Sequence, residues 1–449
     1  MGFGIVSCMI RQFTDISPMT RRQLLGWVGC GLTSVGRAQD ADIKLRIGEI
    51  NLELAPRRVV KTLAYNGQVP GPLLRAAEGR PITVDVWNET KEHELVHWHG
   101  FHIPSDVDGA HEEGTPPVPA QGQRRYVFTP GPSGTRWYHS HGSAGRNLRK
   151  TTYSGQFGMF VVEPRNEPGR YDLEVPILLH EWDPHFTEDG DVDFRLFSVN
   201  GKMLGSGVPI HVRRSQSVLF RILNASATLH HRLALPGHAF NVIALDGNAL
   251  PGSRTVPVVD LSPGERVDAI VEMYHPGVWV LGELRDPQRG AGMGIVVEYA
   301  GEQGPPRWLP PQPFEWDYSI FGGSQTAPEP DGRIPLVLRQ PTGSHHWTIN
   351  GKSFPHTSPL MVSVGRCYRL VFDNQSAEAH PVHLHRHTFE ITRIVHKPTS
   401  GVFKDVVVVP AWQQVEVDVV TANPGPTLFH CHQQFHMDSG FMAMMQYSV

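Results

Sequence analysis

The sequence predicts an all-β protein made of three tandem β-sandwiches. Glycine and proline supply 45 and 38 of the 449 residues and recur along the whole chain, which favours short strands joined by tight turns over helices. A chain of this length is expected to form about three domains of roughly 150 residues each. The same pattern of turns and strands also occurs three times along the chain, which indicates an internal repeat.

The first 39 residues are interpreted as an export leader. Residues 20–25 read Thr-Arg-Arg-Gln-Leu-Leu, an apolar stretch continues to Val35, and a small-residue exit lies near Ala38. This arrangement resembles a twin-arginine export signal and predicts a periplasmic or secreted protein, with a chance arginine pair as the alternative. No later apolar run approaches the ~20 residues needed to span a bilayer, so no transmembrane segment is expected.

The internal repeat is visible in its turns and in the strands that follow them. Three Asn-Gly pairs, which favour tight turns, each precede an alternating strand that ends at a second asparagine. The turns begin at Asn66, Asn200 and Asn350, and the strands end at Asn88, Asn224 and Asn374. A second alternating strand is predicted farther along each copy, over 124–128, 265–271 and 414–420.

These repeats place domain boundaries near Glu167 and Gly304. The predicted segments are 1–39 (leader), 40–167, 168–304 and 336–449, with a Pro-rich linker over 305–335. Proline-rich composition favours an extended, semi-rigid connector over a fourth domain.

Histidine is unusually frequent, at 25 residues, and much of it occurs in pairs. The pattern His-x-His occurs five times, against about 1.4 expected by chance at this content. Residues i and i+2 of a strand project from the same face, so each pair presents two imidazoles side by side. Four pairs occupy matching places in the first and third repeats: His97 with His99, His139 with His141, His383 with His385, and His430 with His432. They predict one pocket of eight imidazoles, whereas a single pair would more often be a packing or surface feature.

Cys431 lies between His430 and His432 and, by strand alternation, points to the opposite face. With His436 just downstream and His380 on an earlier strand, its thiolate completes a trigonal Cys-His₂ set, the ligand set of blue-copper electron-transfer sites. One cysteine would thus link two metal sites. The middle repeat carries Gly-Glu-Leu at the place of His-Cys-His and is expected to be a structural spacer. Of the other cysteines, Cys8 and Cys30 lie in the leader and Cys367 is expected to be a buried thiol, so no disulfide framework is predicted.

These residues resemble the four copper-binding motifs of the multicopper oxidases, a family that includes laccases, ascorbate oxidase and bacterial copper-efflux oxidases. The motifs are His97-Trp98-His99-Gly100, Trp137-Tyr138-His139-Ser140-His141, His380-Pro381-Val382-His383-Leu384-His385, and His430-Cys431-His432 with His436. The resemblance extends from about Ile43 to the end of the chain. It implies three cupredoxin-like Greek-key β-sandwich domains, four copper ions, and dioxygen as the electron acceptor.

The resemblance also implies how the ligands are shared. Type 1 copper is expected on His380, Cys431 and His436, type 2 copper on His97 and His383, and the type 3 coppers on His99, His139 and His432 and on His141, His385 and His430. Relatives often place an axial methionine where Phe441 stands; a phenyl ring cannot coordinate, which is expected to raise the reduction potential. Met442 is the competing axial candidate, although adjacent strand residues face opposite ways.

Proton delivery is the other function that the resemblance implies. Asp108 matches a carboxylate that relatives place beside the cluster, and it is predicted to relay protons; an ordinary Asp-Gly turn is the alternative. Met437 stands where a second relay acid often follows the last type 1 histidine, and Asp438 is a candidate substitute. Arg386 replaces a glycine common in the third motif, for which the sequence offers no interpretation.

The predicted function is that of a laccase-like, copper-dependent oxidoreductase. One-electron oxidation of phenols, aromatic amines or similar donors, with electrons entering at Cys431 through the edge of His436, would be coupled to reduction of dioxygen to water. A metal-ion oxidase acting on cuprous, ferrous or manganous ions is the alternative. A copper-binding protein without activity is disfavoured because no ligand is lost, and a zinc protein because the ligand set exceeds what zinc requires. A net charge of −4 disfavours nucleic acid as a partner.

Overall fold

The structure, a computed structural model, describes residues 40–165, 170–188 and 190–448. The predicted leader lies outside these ranges, as does the predicted boundary at Glu167. The described strands form three pairs of sheets, each pair drawn from one stretch of the chain, so the predicted all-β class is confirmed. Each helix in the described ranges is too short or too polar to cross a membrane.

The first sandwich lies between Ile43 and Glu163. Its strands are β1 (Ile43–Ala55), β2 (Arg58–Tyr65), β3 (Leu74–Ala77), β4 (Ile82–Asn88), β5 (Val96–His99), β6 (Gln123–Phe128), β7 (Gly134–Ser140) and β8 (Phe157–Glu163). One sheet has the order β2-β1-β4-β6 and the other β3-β8-β7-β5. Alternate residues of β4, including Val84 and Val86, are fully buried, as expected for a strand with one face on the core.

The middle sandwich lies between Leu173 and Tyr299. Its elements are β9 (Leu173–Phe186), β10 (Val192–Val199), β11 (Ile210–Val212), β12 (Ser217–Asn224), β13 (His231–Ala234), β14 (Phe240–Leu245), β15 (Asn248–Val256), β16 (Val259–Leu261), β17 (Arg266–Glu272), β18 (Val278–Glu283), α1 (Asp286–Gly290) and β19 (Gly294–Tyr299). The sheets have the orders β10-β9-β12-β17-β14-β15 and β11-β19-β18-β13-β16.

The third sandwich lies between Gly332 and Tyr447. Its elements are β20 (Gly332–Arg339), β21 (Thr348–Ile349), β22 (Leu360–Val362), β23 (Cys367–Asn374), β24 (His380–Leu384), β25 (Phe389–Ile394), β26 (Lys397–Pro398), β27 (Phe403–Lys404), β28 (Val406–Val409), β29 (Gln414–Val420), β30 (Thr427–Cys431), α2 (Gln434–Asp438) and β31 (Met442–Tyr447). One sheet has the order β21-β20-β23-β29-β25-β26, with β27 beside β25, and the other β22-β31-β30-β24-β28.

The Asn-Gly pairs form tight turns at equivalent places in the three sandwiches. Both residues of each pair have positive φ, for example 52° at Asn66 and 71° at Gly67, a conformation that asparagine and glycine tolerate best. The asparagine side chain also binds a neighbouring strand, since Asn66 Oδ1 accepts the N–H of Arg46 at 2.6 Å and Asn350 Oδ1 that of Val337 at 2.8 Å.

The second asparagine of each repeat forms hydrogen bonds with the loop that follows it. In the outer sandwiches its buried side chain donates to a backbone carbonyl four residues on, from Asn88 to Glu92 and from Asn374 to Glu378, both at 2.7 Å. Because these bonds occupy the donors of the amide, they hold the loop that leads into β5 or β24 in one conformation. These asparagines therefore help to fix where the histidine-bearing strands β5 and β24 begin.

The segment between the second and third sandwiches packs closely in places. A short 3₁₀ helix over Tyr318–Phe321 has both terminal residues buried, and the Tyr318 hydroxyl donates to Glu265 at the start of the middle sandwich's β17 region. β20 begins at Gly332, inside the segment predicted to be a linker. This part of the chain thus contributes to packing as well as to connection.

Candidate metal centre

Two pairs of neighbouring strands carry the paired histidines. In the first sandwich β5 lies antiparallel to β7, which places His97 opposite His139. In the third, β24 lies antiparallel to β30, with His383 opposite His430. The second member of each pair lies two residues farther on, at His99, His141, His385 and His432. Because positions i and i+2 share one face of a strand, each sandwich presents four imidazoles on a single side.

These eight imidazoles, the eight-imidazole group, meet where the first and third sandwiches face each other. The ring of His97 stacks on that of His385 with centroids 4.0 Å apart, and the ring of His99 stacks on that of His383 at 3.8 Å. Two further contacts across the same boundary join His141 to His430 at 5.3 Å and His139 to His432 at 5.4 Å. All eight side chains are buried.

Burial determines the protonation of seven of these imidazoles. Removal from water lowers the pKa of an imidazole because its charged form loses hydration, and neighbouring imidazoles lower it further. The pKa of His430 falls to about 4. Burial also lowers the pKa of His99, His139, His141, His383, His385 and His432. At neutral pH these rings are uncharged and offer lone pairs to a metal.

The donor atoms fit a multinuclear copper site. Five of the imidazoles carry buried ring nitrogens without a hydrogen-bond partner among the described residues: His97 Nε2, His139 Nε2, His383 Nε2, His432 Nδ1 and both nitrogens of His141. An unsatisfied buried polar atom costs roughly 1–3 kcal/mol, so a group of them is expected to be stabilised by coordination. Triplets such as His141, His385 and His430 have ligand atoms within 4.8 Å of one another.

Two aspartates hold the imidazoles from outside. The Asp108 carbonyl lies 3.0 Å from His97 Nδ1, and its carboxylate lies 2.9 Å from His385 Nδ1. Asp405 repeats this arrangement in the third sandwich: its carbonyl accepts from His383 Nδ1 at 2.7 Å and its carboxylate lies 3.0 Å from His99 Nε2. Such contacts select the ring nitrogen left for a metal. Sequence reasoning singled out Asp108 but missed Asp405, which no local motif marks.

The predicted mononuclear group, His380, Cys431 and His436, also comes together. Cys431 Sγ lies 4.0 Å from His380 Nδ1 and 3.6 Å from His436 Nδ1. The opposite nitrogens are engaged elsewhere, His380 Nε2 by Ser376 Oγ at 2.9 Å and His436 Nε2 by Glu378 Oε2 at 3.3 Å. Burial raises the pKa of the Cys431 thiol, so a bound cation is needed to favour the thiolate.

Aromatic rings close one side of this group. The Trp347 ring lies 4.5 Å from both His380 and His436, and the Phe441 ring lies 5.0 Å from His380. Phe441 is fully buried, whereas Met442 belongs to β31 and is paired with His430. The aromatic residue is therefore the one that lies against the mononuclear group.

Three other residues singled out in the sequence take structural positions. Asp438 accepts backbone N–H groups from Ala144 and Gly145, at 3.1 and 3.0 Å, in the loop that follows His141, and burial raises its pKa to about 6. Met437 is buried. Arg386, which the sequence left uninterpreted, donates to Ile103 O at 2.9 Å and to carbonyls of the loop before β30, and so joins the first and third sandwiches.

Cys367 is the other cysteine of the described chain, and it is a free thiol like Cys431. The expectation that Cys367 is buried is wrong, because it is the first residue of β23 and is only partly covered.

One cavity lies beside the mononuclear group and another reaches the eight-imidazole group. One of about 700 Å³ lies beside the mononuclear group and is lined by Glu378, Ala379, Gln433, Trp316 and Val408, among others. A smaller one of about 280 Å³ is lined by Glu94, Ser140 and His141 and reaches the eight-imidazole group.

Comparison with known proteins identifies the class to which this site belongs. Sequence models of the multicopper oxidases match residues 47–167, 185–298 and 329–449. The chain therefore belongs to the multicopper oxidase family, whose members are copper-dependent oxidoreductases with oxygen as the acceptor. It is accordingly a copper-binding enzyme that uses oxygen and a reductant.

Individual relatives cover most of the chain. It is 29% identical over 436 residues to multicopper oxidase MmcO of Mycobacterium tuberculosis, with 87% of this chain and 84% of that protein covered. It is 26% identical to a laccase of Trametes hirsuta, with 94% and 93% covered. Among solved structures, a multicopper oxidase from Pseudomonas thermotolerans has a TM-score of 0.71 at 26% identity, covering 91% of this chain and 100% of that one. Fet3p, a multicopper oxidase that functions in iron import, shares the fold, with a TM-score of 0.76 at 17% identity and 90% of each chain covered.

Proposed function

We propose that this protein is a laccase-like oxidase that takes single electrons from phenols, aromatic amines or similar reductants and passes them to dioxygen, which is reduced to water. The observation that carries the proposal is the position of Cys431. Its Sγ faces His380 and His436, while its chain neighbours His430 and His432 belong to the eight-imidazole group.

Four copper ions are proposed to occupy these residues. His380, Cys431 and His436 would hold type 1 copper, with Phe441 beside them as a residue that cannot coordinate. His97 and His383 would hold type 2 copper, and the type 3 coppers would be held by His99, His139 and His432 and by His141, His385 and His430. Bound copper supplies one-electron transfer at the first site and the reduction of dioxygen at the other three ions.

The chain's own residues link and shield the two sites. The Cys431 carbonyl accepts a hydrogen bond from His430 Nδ1 at 2.8 Å, which adds to the covalent path between the sites, so no diffusible carrier is needed. Burial of the eight-imidazole group excludes bulk water from the oxygen site. Asp108 is proposed to hold and deliver protons, since its Oδ1 is buried and has no hydrogen-bond partner within the described ranges.

The larger cavity is proposed to bind the organic reductant. A volume of about 700 Å³ suits an organic molecule better than a bare ion, and Trp316 and Val408 provide apolar walls. Glu378 stands between the cavity and His436, so its carboxylate can accept the hydroxyl or amine proton of a donor. His436, whose Nε2 lies 3.3 Å from Glu378 Oε2, is then the proposed point at which the electron enters the protein.

Oxidation of metal ions is a second candidate because the cavity is acidic. Asp191, Asp260, Glu315 and Glu378 all line it, and oxygen ligands suit Fe(II) and Mn(II).

The proposal also includes the domain division and the location of the protein. The proposed domains are 40–167, 168–304 and 336–449, with a linker over 305–335. The leader over 1–39 is proposed to direct export to the periplasm or the medium.

Steady-state turnover distinguishes the two substrate classes. We expect Trp316→Ala to raise KM for phenols and aromatic amines about tenfold and to leave Cu(I), Fe(II) and Mn(II) oxidation unchanged. Glu378→Gln should lower kcat/KM for phenols by about 100-fold, the usual contribution of a positioned base. The matched control is Glu329→Gln, an exposed carboxylate paired with Arg333.

Two outcomes test the hypotheses, and the control variant shows where the effect arises. Faster turnover of metal ions than of any organic donor, lost in Glu378→Gln and insensitive to Trp316→Ala, would favour the metal-ion oxidase. Failure of the copper-loaded protein to consume oxygen with every donor would contradict both. An unchanged Glu329→Gln variant shows that the effect belongs to the cavity.

A further inference from the structure

We propose that the middle sandwich, which contributes no copper ligand, positions two ligands of the copper cluster: its Arg266 holds Asp405 of the third sandwich, and Asp405 orients His99 and His383. This inference rests on the proposed assignment of those two imidazoles to copper. Arg266 and Asp405 are positioning residues, since neither would touch the metal.

Arg266 makes a complete set of hydrogen bonds at the junction of the three sandwiches. Its Nη1 and Nη2 donate to the two carboxylate oxygens of Asp405 at 2.6 and 2.7 Å. Nε donates to Thr135 O at 3.1 Å, Nη1 also to Gly264 O at 3.1 Å, and Nη2 also to Asp246 O at 2.9 Å. All five N–H donors are thus engaged. A planar guanidinium held this way fixes both the position and the plane of the carboxylate.

Asp405 passes this constraint on to two imidazoles from different sandwiches. Its Oδ1 lies 3.0 Å from His99 Nε2, which leaves Nδ1 of that ring for coordination. Its backbone carbonyl accepts from His383 Nδ1 at 2.7 Å, which leaves Nε2. The His383 Nε2 is buried without another partner in the described chain, as expected of an atom reserved for a metal.

The middle sandwich also fixes the backbone of Asp405. Asp246 Oδ2 accepts the N–H groups of Asp405 and Val406 at 3.2 and 3.1 Å, and it pairs with Lys404 Nζ at 2.9 Å. A turn of the same sandwich approaches the ligands directly, since a Cβ on Gly264 would lie 2.8 Å from His432 Cδ2. Two independent contacts therefore connect this sandwich to the eight-imidazole group.

Copper spectroscopy of matched arginine variants tests the proposal. In Arg266→Met we expect type 2 and type 3 copper to be lost to a competing chelator at about 10- to 100-fold lower chelator concentration. The type 2 electron paramagnetic resonance signal and the type 3 near-ultraviolet absorption should change, while the blue type 1 band, an internal reference, is retained. Arg221→Met is the control: Arg221 is also buried in the middle sandwich and bonds Thr135 Oγ1 and Asp268 at 2.8 Å, but it points to Asp268 instead of Asp405.

The outcomes are distinct. Altered cluster spectra in Arg266→Met together with unaltered spectra in Arg221→Met support the proposal. Unaltered cluster spectra in Arg266→Met, or equal changes in both variants, overturn it. If Arg266→Met does not fold, Arg266→Lys keeps the charge without the two-pronged contact, and its type 2 signal decides: a changed signal supports the proposal and an unchanged one overturns it. Absence of type 2 and type 3 signals from the unmodified protein would instead contradict the proposed function.

Discussion

The middle and third sandwiches have corresponding strand orders in both of their sheets, yet they carry different side chains at one equivalent place. In the middle sandwich β13 pairs with β18 so that Leu233 faces Glu283. In the third, β24 pairs with β30 so that Val382 faces Cys431. Glu283 thus stands where Cys431 stands in the other copy. β13 begins with the buried His231, two residues before Leu233, and β24 begins with the buried His380, two residues before Val382.

The partner of that histidine decides whether a metal is needed. His231 Nδ1 lies 3.0 Å from a Glu283 carboxylate oxygen, which forms a closed pair. His380 Nδ1 lies 4.0 Å from Cys431 Sγ, which is also 3.6 Å from His436 Nδ1, too far for strong hydrogen bonds. The third sandwich therefore keeps three possible metal ligands close together without strong hydrogen bonds between them. In the middle sandwich the histidine is hydrogen-bonded to Glu283 instead.

The pKa values of Glu283 and Cys431 also differ between the two sandwiches. Burial opposes ionisation of Glu283, but hydrogen bonds and charge interactions with His231 and Arg285 outweigh it and lower the pKa of Glu283 to about 2. Burial lowers the pKa of His231, so Arg285, whose Nε donates to Glu283 at 3.1 Å, is the lasting cation beside this carboxylate. For the Cys431 thiol burial is the largest influence, and it raises the pKa. The comparison teaches that a carboxylate in the position of the thiol gives the buried histidine a hydrogen-bond partner, and that Arg285 balances the charge of this carboxylate without a bound cation.

The largest expected effect comes from removing the sulfur. Cys431→Ser should abolish the blue absorption and lower oxidase turnover by at least about 100-fold, because a hydroxyl is a poor ligand for this type of copper. Copper at the eight-imidazole group should remain, measured by metal analysis and by the type 2 resonance signal. Cys367→Ser, which removes the other thiol of the described chain, should change neither property; full turnover in Cys431→Ser would refute the link between the two sites.

A stability effect is expected in the middle sandwich. Glu283→Gln should lower the free energy of unfolding by about 3 kcal/mol, since it removes the buried carboxylate that holds both His231 and Arg285. The pKa of Glu283 is lowered from its ordinary value of 4.5 to about 2, so the pair stabilises the protein above pH 4.5 and this stabilisation is lost as the pH falls toward 2.

Denaturant titration at several pH values checks this second prediction. The difference between the unmodified protein and Glu283→Gln should be full at pH 7 and should shrink steadily below pH 4.5. Glu49→Gln, which breaks the exposed pair between Glu49 and Lys61, should cost less than about 1 kcal/mol at any pH. A Glu283→Gln variant as stable as the unmodified protein would mean that the pair does not replace a metal energetically.

The smallest effect concerns the turn by which the middle sandwich touches the ligands. Gly264 has φ +86° and its Cβ position lies 2.8 Å from the His432 ring, so Gly264→Ala should cost about 1–2 kcal/mol and shift the type 3 absorption. Gly365→Ala shares the positive φ, at +74°, but has open space around it, and it isolates the backbone cost. Equal type 3 spectra in the two variants would exclude a role for this contact.

Local patterns were sufficient to predict much of this protein. The strands that end at Asn88, Asn224 and Asn374 do so in the structure, and the predicted second strands correspond to β6, β17 and β29. The histidine pairs and Cys431 could also be selected, because side-chain alternation along a strand depends only on neighbouring residues.

Apart from Asp108, the tertiary structure alone decided which residues support those ligands. Asp405 contacts His99 across 306 positions of sequence and Arg266 across 139, and Glu378, in the loop before β24, contacts His436 of α2. The periodicity of a strand specifies which face a side chain takes, but it carries no information about which distant segment packs against that face. Sequence therefore determined the donor atoms, and packing between sandwiches determined their orientation, charge balance and access.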